Sequence, residues 1–172
     1  FLHRVRTGRP FGILKWAMSL DGRTALPNGA SQWISGPPAR AWVHQLRSGM
    51  DAVVVGGGTV RGDDPLLTSR GRRSPEPLRV VLSRSLDLPN QAQLWNTAVA
   101  PTLVAHGPEA DPKRLPPGPE GLGLAACEPM QLMEALAGRG CNQVLWECGP
   151  ELAAAAIRQG CVQEIAAVVA PK

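Results

Sequence analysis

Four apolar residues, Ala52, Val53, Val54 and Val55, run straight into three glycines, Gly56, Gly57 and Gly58. A short β-branched run bounded in this way predicts a buried strand closed by a turn. The glycines let the backbone turn sharply and let a ligand approach it closely. Glycines alone at a strand end mark an ordinary strand-to-loop junction. Here they lead into Thr59, the paired acids Asp63 and Asp64, then Leu67 and Arg70. Residues 51–70 therefore gather, in one stretch, groups able to meet a ligand.

The rest of the chain follows the same alternation. Phe11 to Met18 reads as a strand turned by Asp21 and Gly22. Ser35 is placed to cap a helix whose first turn holds Pro37 and Pro38, where a missing N–H costs little. That helix runs to about Ser48 with Ala39, Trp42, Val43 and Leu46 inward, and Gly49 ends it. Further strands are predicted at Leu78–Leu82, Thr102–Ala105, Gln143–Trp146 and Ile165–Val169, and further helices at Glu128–Ala137 and Glu151–Gln159. Residues 106–121, dense in Pro and Gly, read as a surface loop. Strand and helix in alternation imply an α/β domain with a mainly parallel central sheet flanked by helices. The 172 residues suit one such domain. Ligands of these sheets sit at the carboxyl ends of the strands, which collects the loops after Met18, Val55, Leu82 and Trp146 on one edge.

The second chemically loaded junction follows Trp146. Glu147, Cys148, Gly149 and Pro150 lead directly into the helix through Glu151, Leu152, Ala153, Ala154 and Ala155. The first N–H groups of a helix lack intrahelical partners and carry partial positive charge, so they bind phosphate or pyrophosphate. Gly149 permits close approach and Pro150 fits the first turn. On its own this too is a plain strand–helix turn. Two Gly-marked strand ends on one edge suit a dinucleotide. Glu147 can accept a hydrogen bond from a substrate hydroxyl or ring N–H, and Asp63 can do so from a ribose; each also reads as a loop acid or a cap. Arg47, Arg70 and Arg84 carry forks that match phosphate oxygens, although any one of them also reads as a solvated surface arginine.

Charge narrows the partners. Lys plus Arg number 18 against 14 Asp plus Glu, a formal net charge of +4. Apart from Arg70, Arg72 and Arg73 the cations are scattered, so no nucleic-acid-binding stripe forms and a small anion is the better match. Cys127, Cys141, Cys148 and Cys161 form no CxxC pair and no histidine stands at ligand spacing, which argues against a metal. His3, His44 and His106 receive no role. With no signal peptide and no apolar run of spanning length, the chain reads as cytoplasmic. GxGxxG, GxxxxGK[ST], GxSxG, HExxH and the zinc-deaminase signature are all absent. Gly121 to Ala126 matches GxGxxA but follows a Pro-rich loop rather than a strand. Residues 1–10, basic and polar, read as a linker from an upstream domain. Residues 11–172 read as the domain itself, which looks cut at Lys172.

Five ordered blocks then resemble a known family: Lys15, Ala17, Ser19, Asp21 and Gly22; Ser31, Gln32, Trp33 and Ile34; Gly57, Thr59 and Val60 with Asp63, Asp64, Pro65, Leu67 and Thr68; Glu147, Gly149, Pro150 and Leu152; Ala170, Pro171 and Lys172. The chain resembles the reductase domain of the bifunctional riboflavin-biosynthesis deaminase/reductase, from about Phe11 to Lys172. The resemblance implies a dihydrofolate-reductase-like fold, NADPH as hydride donor and 5-amino-6-(5-phosphoribosylamino)uracil as substrate. It implies cofactor contacts from Ala17, Trp33, Thr59, Asp63 and Gly149 through Ala155, namely Gly149, Pro150, Glu151, Leu152, Ala153, Ala154 and Ala155. It implies substrate contacts from Ser31, Arg47, Leu67, Arg70 and Glu147. Arg84, after its strand, is the candidate reader of the NADP 2′-phosphate. Glu147 and Lys15 are the candidates for a catalytic role, and no proton donor is assigned. A fused or paired zinc deaminase domain, a homo-oligomer such as a dimer, and a bacterial cytosol or plant plastid are implied as well. Cys148 departs from the Gly or Ala usual there. Two other readings stay open: a related oxidoreductase with a different substrate, and a non-catalytic nucleotide-binding module.

Overall fold

The computed structural model describes residues 1–25 and 35–171. Its elements in chain order are α1 (Leu2–Thr7), β1 (Phe11–Ser19), α2 (Pro37–Ser48), β2 (Ala52–Gly56), α3 (Gly57–Asp63), β3 (Leu78–Ser83), β4 (Thr102–His106), β5 (Glu120–Gly123), α4 (Pro129–Gly138), β6 (Gln143–Trp146), α5 (Pro150–Arg158) and β7 (Glu164–Ala170). The strands form one sheet in the order β5-β4-β3-β2-β6-β1-β7. Every pairing among them is parallel.

Parallel strands buried on both faces need continuous apolar runs, and β2 and β4 provide them with almost every residue buried. The sheet divides the core in two. On one face Leu14, Val54, Val80, Leu103 and Trp146 pack against Leu132, Met133 and Leu136 of α4 and Ala153 and Ala156 of α5. On the other, Ile13, Val53, Val55, Val81 and Leu145 pack with Leu46 of α2, Val60 of α3 and Leu86, Leu94 and Trp95 of the β3–β4 connection. Gly12 has a steric reason: a Cβ there would lie 1.9 Å from the Cys161 carbonyl oxygen, where β1 passes the turn before β7.

The topology reverses between β2 and β6. From β2 the chain enters α3 and moves outward to β3, β4 and β5. From β6 it enters α5 on the opposite face and reaches β7. Adjacent parallel strands whose following helices diverge leave a crevice at their carboxyl ends. That crevice lies between the two glycine-marked junctions.

Several local expectations are corrected. Gly56 is extended rather than sharply turned, and Gly57 already begins α3, so the three glycines start a helix instead of a loop. Gly36, not Ser35, occupies the N-cap of α2. Trp42 is 45% exposed, because α2 turns Val43 to the sheet and its neighbour outward. The segment 106–121 is not all loop: Pro112–Arg114 form a 3-10 turn and β5 begins at Glu120. Ahead of β1, Leu2–Thr7 form α1, whose Arg4 donates to the Ala137 and Gly140 carbonyls at 2.9 and 3.0 Å. A cation at the carboxyl end of α4 is favourable there.

Candidate active site

Glu147 stands one residue past β6. Its N–H continues the ladder, donating to the Val54 carbonyl at 2.9 Å. The side chain emerges on the α2 face of the sheet and meets Arg47 in the last turn of that helix. Arg47 Nε donates to Glu147 Oε1 at 2.5 Å and Nη2 donates to Oε2 at 2.9 Å. Such fork-on-carboxylate geometry is among the stronger charge-assisted contacts. The two side chains are only 12% and 8% exposed. Arg47 Nη1 also donates to the Thr68 carbonyl at 3.0 Å, tying α2 to the loop after α3.

Lys15 completes the group from β1. Leu14 pairs with Trp146 in register, so Lys15 is the next position beside Glu147. Burial alone would push the Glu147 carboxyl up, but Arg47, Lys15 and His44 together bring it below its ordinary value. Burial and the surrounding Arg47, Arg70 and Arg72 push the His44 imidazole down. A depressed carboxylate stabilises the fold above its ordinary pKa, and that contribution is lost as pH falls through the depressed value. A depressed histidine adds to this, since protonation below about pH 6.5 favours the unfolded chain. Stability is therefore expected to decline on acidification in two stages. In His44→Gln the upper stage, which begins as pH falls below about 6.5, should flatten in chemical-denaturation series while the lower one persists.

The glycine junctions meet at the carboxyl end of β2. A Cβ on Gly56 would lie 3.4 Å from Leu152 Cδ2, so the first turn of α5 packs over the end of β2. Gly58 faces open space. Gly149 caps α5 with no side-chain hydrogen bond, and the first intrahelical bond runs from Ala153 N to the Gly149 carbonyl. The N–H groups of Glu151 and Leu152 are thus left for an anionic ligand. Burial pushes the neighbouring Cys148 thiol up to about 12, so it stays protonated and cannot act as a nucleophile.

The remaining sequence candidates differ in exposure. Ala17 lies on β1 two residues beyond Lys15, on the same face of the strand. Thr59 is half-buried in α3 and Asp63 is exposed at its end. Arg84 is exposed directly past β3. Leu67 is 2% exposed with its side chain in the core, so it can meet a ligand only through its backbone. The same holds for Ala153, 2% exposed. Arg70 is exposed with φ of 58°. Ser31 and Trp33 lie outside the described residues.

The sequence named Thr68 and Asp64 without the contacts they make: the Thr68 carbonyl engages Arg47, and the Asp64 carboxylate accepts from Gln93 N at 2.8 Å. Neither carries a local signal, because both partners are distant in sequence. A surface cavity of about 310 Å³ at the opposite sheet edge, lined by Asp51, Leu78, Arg139, Gly140 and Cys141, shares no residue with this crevice.

Residues 10–172 match the model of the RibD C-terminal domain. The chain belongs to this family. It is 51% identical over its whole length to the riboflavin biosynthesis protein RibD of Synechocystis sp., covering 48% of that protein. It is 42% identical, over 99% of its length, to the chloroplastic riboflavin biosynthesis protein PYRR of Arabidopsis thaliana, covering 29% of it. A solved structure of Acinetobacter baumannii RibD matches with a TM-score of 0.85 at 33% identity, covering 100% of this chain and 49% of that one. The Thermotoga maritima deaminase/5-amino-6-(5-phosphoribosylamino)uracil reductase matches with a TM-score of 0.82 at 32% identity, covering 92% of this chain and 44% of that one. The chain thus spans about half the length of the RibD relatives it matches. With these neighbours the parallel sheet is that of a dihydrofolate-reductase-like RibD domain.

Proposed function

We propose that this chain reduces 5-amino-6-(5-phosphoribosylamino)uracil to 5-amino-6-(5-phosphoribitylamino)uracil in riboflavin biosynthesis. The carrying observation is the buried Arg47–Glu147 pair, with Lys15 beside it, at the strand ends between two glycine-marked junctions. Membership of this reductase family implies a nicotinamide cofactor. The finer assignment is NADPH, with Arg84 as reader of its 2′-phosphate.

The residues fit such a cofactor. The uncapped N-terminus of α5 offers the N–H groups of Glu151 and Leu152 to a pyrophosphate. Gly58 leaves room beside it, and in this reading Thr59, Asp63 and Ala17 supply further cofactor contacts. Bound there, NADPH supplies a hydride. The ribosylamine opens to an imine, whose C1′ accepts the hydride and whose nitrogen gains a proton from solvent. Glu147 accepts from the substrate while Arg47 holds that carboxylate in place and ionised. Lys15 adds positive charge beside it. Arg70 on its exposed loop takes the substrate phosphate together with backbone N–H groups.

The chain would act beside or fused to a deaminase domain, as a homo-oligomer, in a bacterial cytosol or a plastid. Among the described residues no helix is long and apolar enough to cross a membrane. The direct test is NADPH oxidation followed in the presence of the ribosylaminouracil phosphate. Substrate-dependent oxidation is expected. NADPH binding, read by tryptophan quenching, without turnover would instead favour a non-catalytic nucleotide-binding module.

A further inference from the structure

The loop from Asp64 to Pro77 carries three non-glycine residues in the left-handed region: Asp64 (φ 40°), Leu67 (φ 55°) and Arg70 (φ 58°). L-residues adopt that region at a cost and hold it only where the surroundings over-determine it. At Arg70 one side chain holds the amides on both sides. The Glu76 carboxylate accepts the Ser69 N–H at 2.6 Å through Oε2 and the Gly71 N–H at 3.0 Å through Oε1. The two donors flank Arg70 on either side. Successive N–H groups around a left-handed residue form a concavity that binds anions, and here an internal carboxylate fills it.

The clamp has further anchors. The Ser69 hydroxyl accepts from Arg73 N at 3.2 Å. Arg79, three residues beyond Glu76 and on β3, donates to the Leu66 carbonyl at 3.4 Å. Thr68 and Ser69 are buried whereas Arg70 is exposed. The loop is therefore fixed to the body on both sides of the exposed Arg70.

We propose that Glu76 is a positioning residue: by holding the N–H groups on both sides of Arg70, its carboxylate fixes that residue's backbone and directs its guanidinium at the anionic group of the substrate. This rests on the reading of Arg70 as a phosphate contact. Glu76 touches neither reactant. Its hydrogen bonds act through Arg70, and its charge acts more weakly on Arg47 and Arg79, so its removal weakens substrate binding and leaves the cofactor side intact.

Steady-state kinetics on the intact protein test this, with the ribosylaminouracil phosphate varied at saturating NADPH. In Glu76→Ala the KM is expected to rise about tenfold with kcat changed by less than about threefold. The Kd for NADPH should be unchanged, and this serves as the control for folding. Glu76→Gln, with one acceptor oxygen in place of two, should give an intermediate KM. The double variant Glu76→Ala/Arg70→Ala should show a KM no higher than Arg70→Ala alone, because two residues acting through one contact are not additive. A Glu76→Ala KM equal to wild type, alongside a raised KM in Arg70→Ala, would overturn the clamp and leave the phosphate contact standing. Full additivity in the double variant would overturn it too, by showing a general structural effect. An unchanged KM in Arg70→Ala would remove the phosphate contact and the clamp's function together.

Discussion

Glu147→Ala is expected to abolish turnover and to lower the unfolding free energy by about 3–5 kcal/mol, the range for breaking one side of a buried ion pair. The stability loss comes from what remains. Arg47 keeps its contact with the Thr68 carbonyl, but its Nε and Nη2 donors lose both carboxylate oxygens in a site with almost no solvent access. Arg47→Ala strands the opposite charge and should cost a similar amount. The double variant should cost clearly less than the sum, since neither charge is then left unpaired. Glu147→Gln retains one acceptor and should recover part of the stability without recovering activity. Denaturant titrations of the four proteins give the cycle directly, and additive losses would show that the pair is not the coupled unit described here.

Arg79→Met carries the second large effect. Arg79 is fully buried, and its guanidinium donates to the carbonyls of Leu66, Gln93, Leu94, Asn96 and Ala100, the last at 2.7 Å. No acidic side chain contacts it, and desolvation lowers its pKa, opposed only by Glu76. One cation thus fastens the loop after α3 and the connection between β3 and β4 to the sheet. Methionine fills much of the volume but supplies no donor. Each carbonyl left unpaired in the interior costs about 1–3 kcal/mol, and partial relaxation brings the total to about 3–5 kcal/mol. For a domain of this size that corresponds to a fall in Tm of about 10 °C. Arg79→Lys retains charge but not the fork and should fall between. A Tm within about 2 °C of wild type for Arg79→Met would contradict this account.

The two residues illustrate different limits of the sequence. Glu147 and Arg47 were both legible as candidates: one stands at a strand end before a Gly-Pro junction, the other in the last turn of a helix. Their pairing was not, because the contact spans a hundred positions and depends on α2 crossing the end of β6. Arg79 reads in the sequence as a polar break in an apolar strand, and only the folded loops reveal five carbonyls around it. Most of the parallel sheet was legible because β1 to β4, β6 and β7 are apolar runs ended by turn residues. β5 was not, since Glu120–Gly123 holds two glycines and a single apolar side chain at a sheet edge. The helix starting at Gly57 was hidden by residues whose intrinsic preference is for turns.

The central claim is that this crevice transfers a hydride to the sugar carbon. Incubation with NADPH deuterated at the transferable C4 position and the ribosylaminouracil phosphate, followed by NMR of the product, tests it most directly. One deuterium at C1′ of the ribityl chain is the predicted result. Label at any other carbon, or reduced product carrying no deuterium, would contradict it.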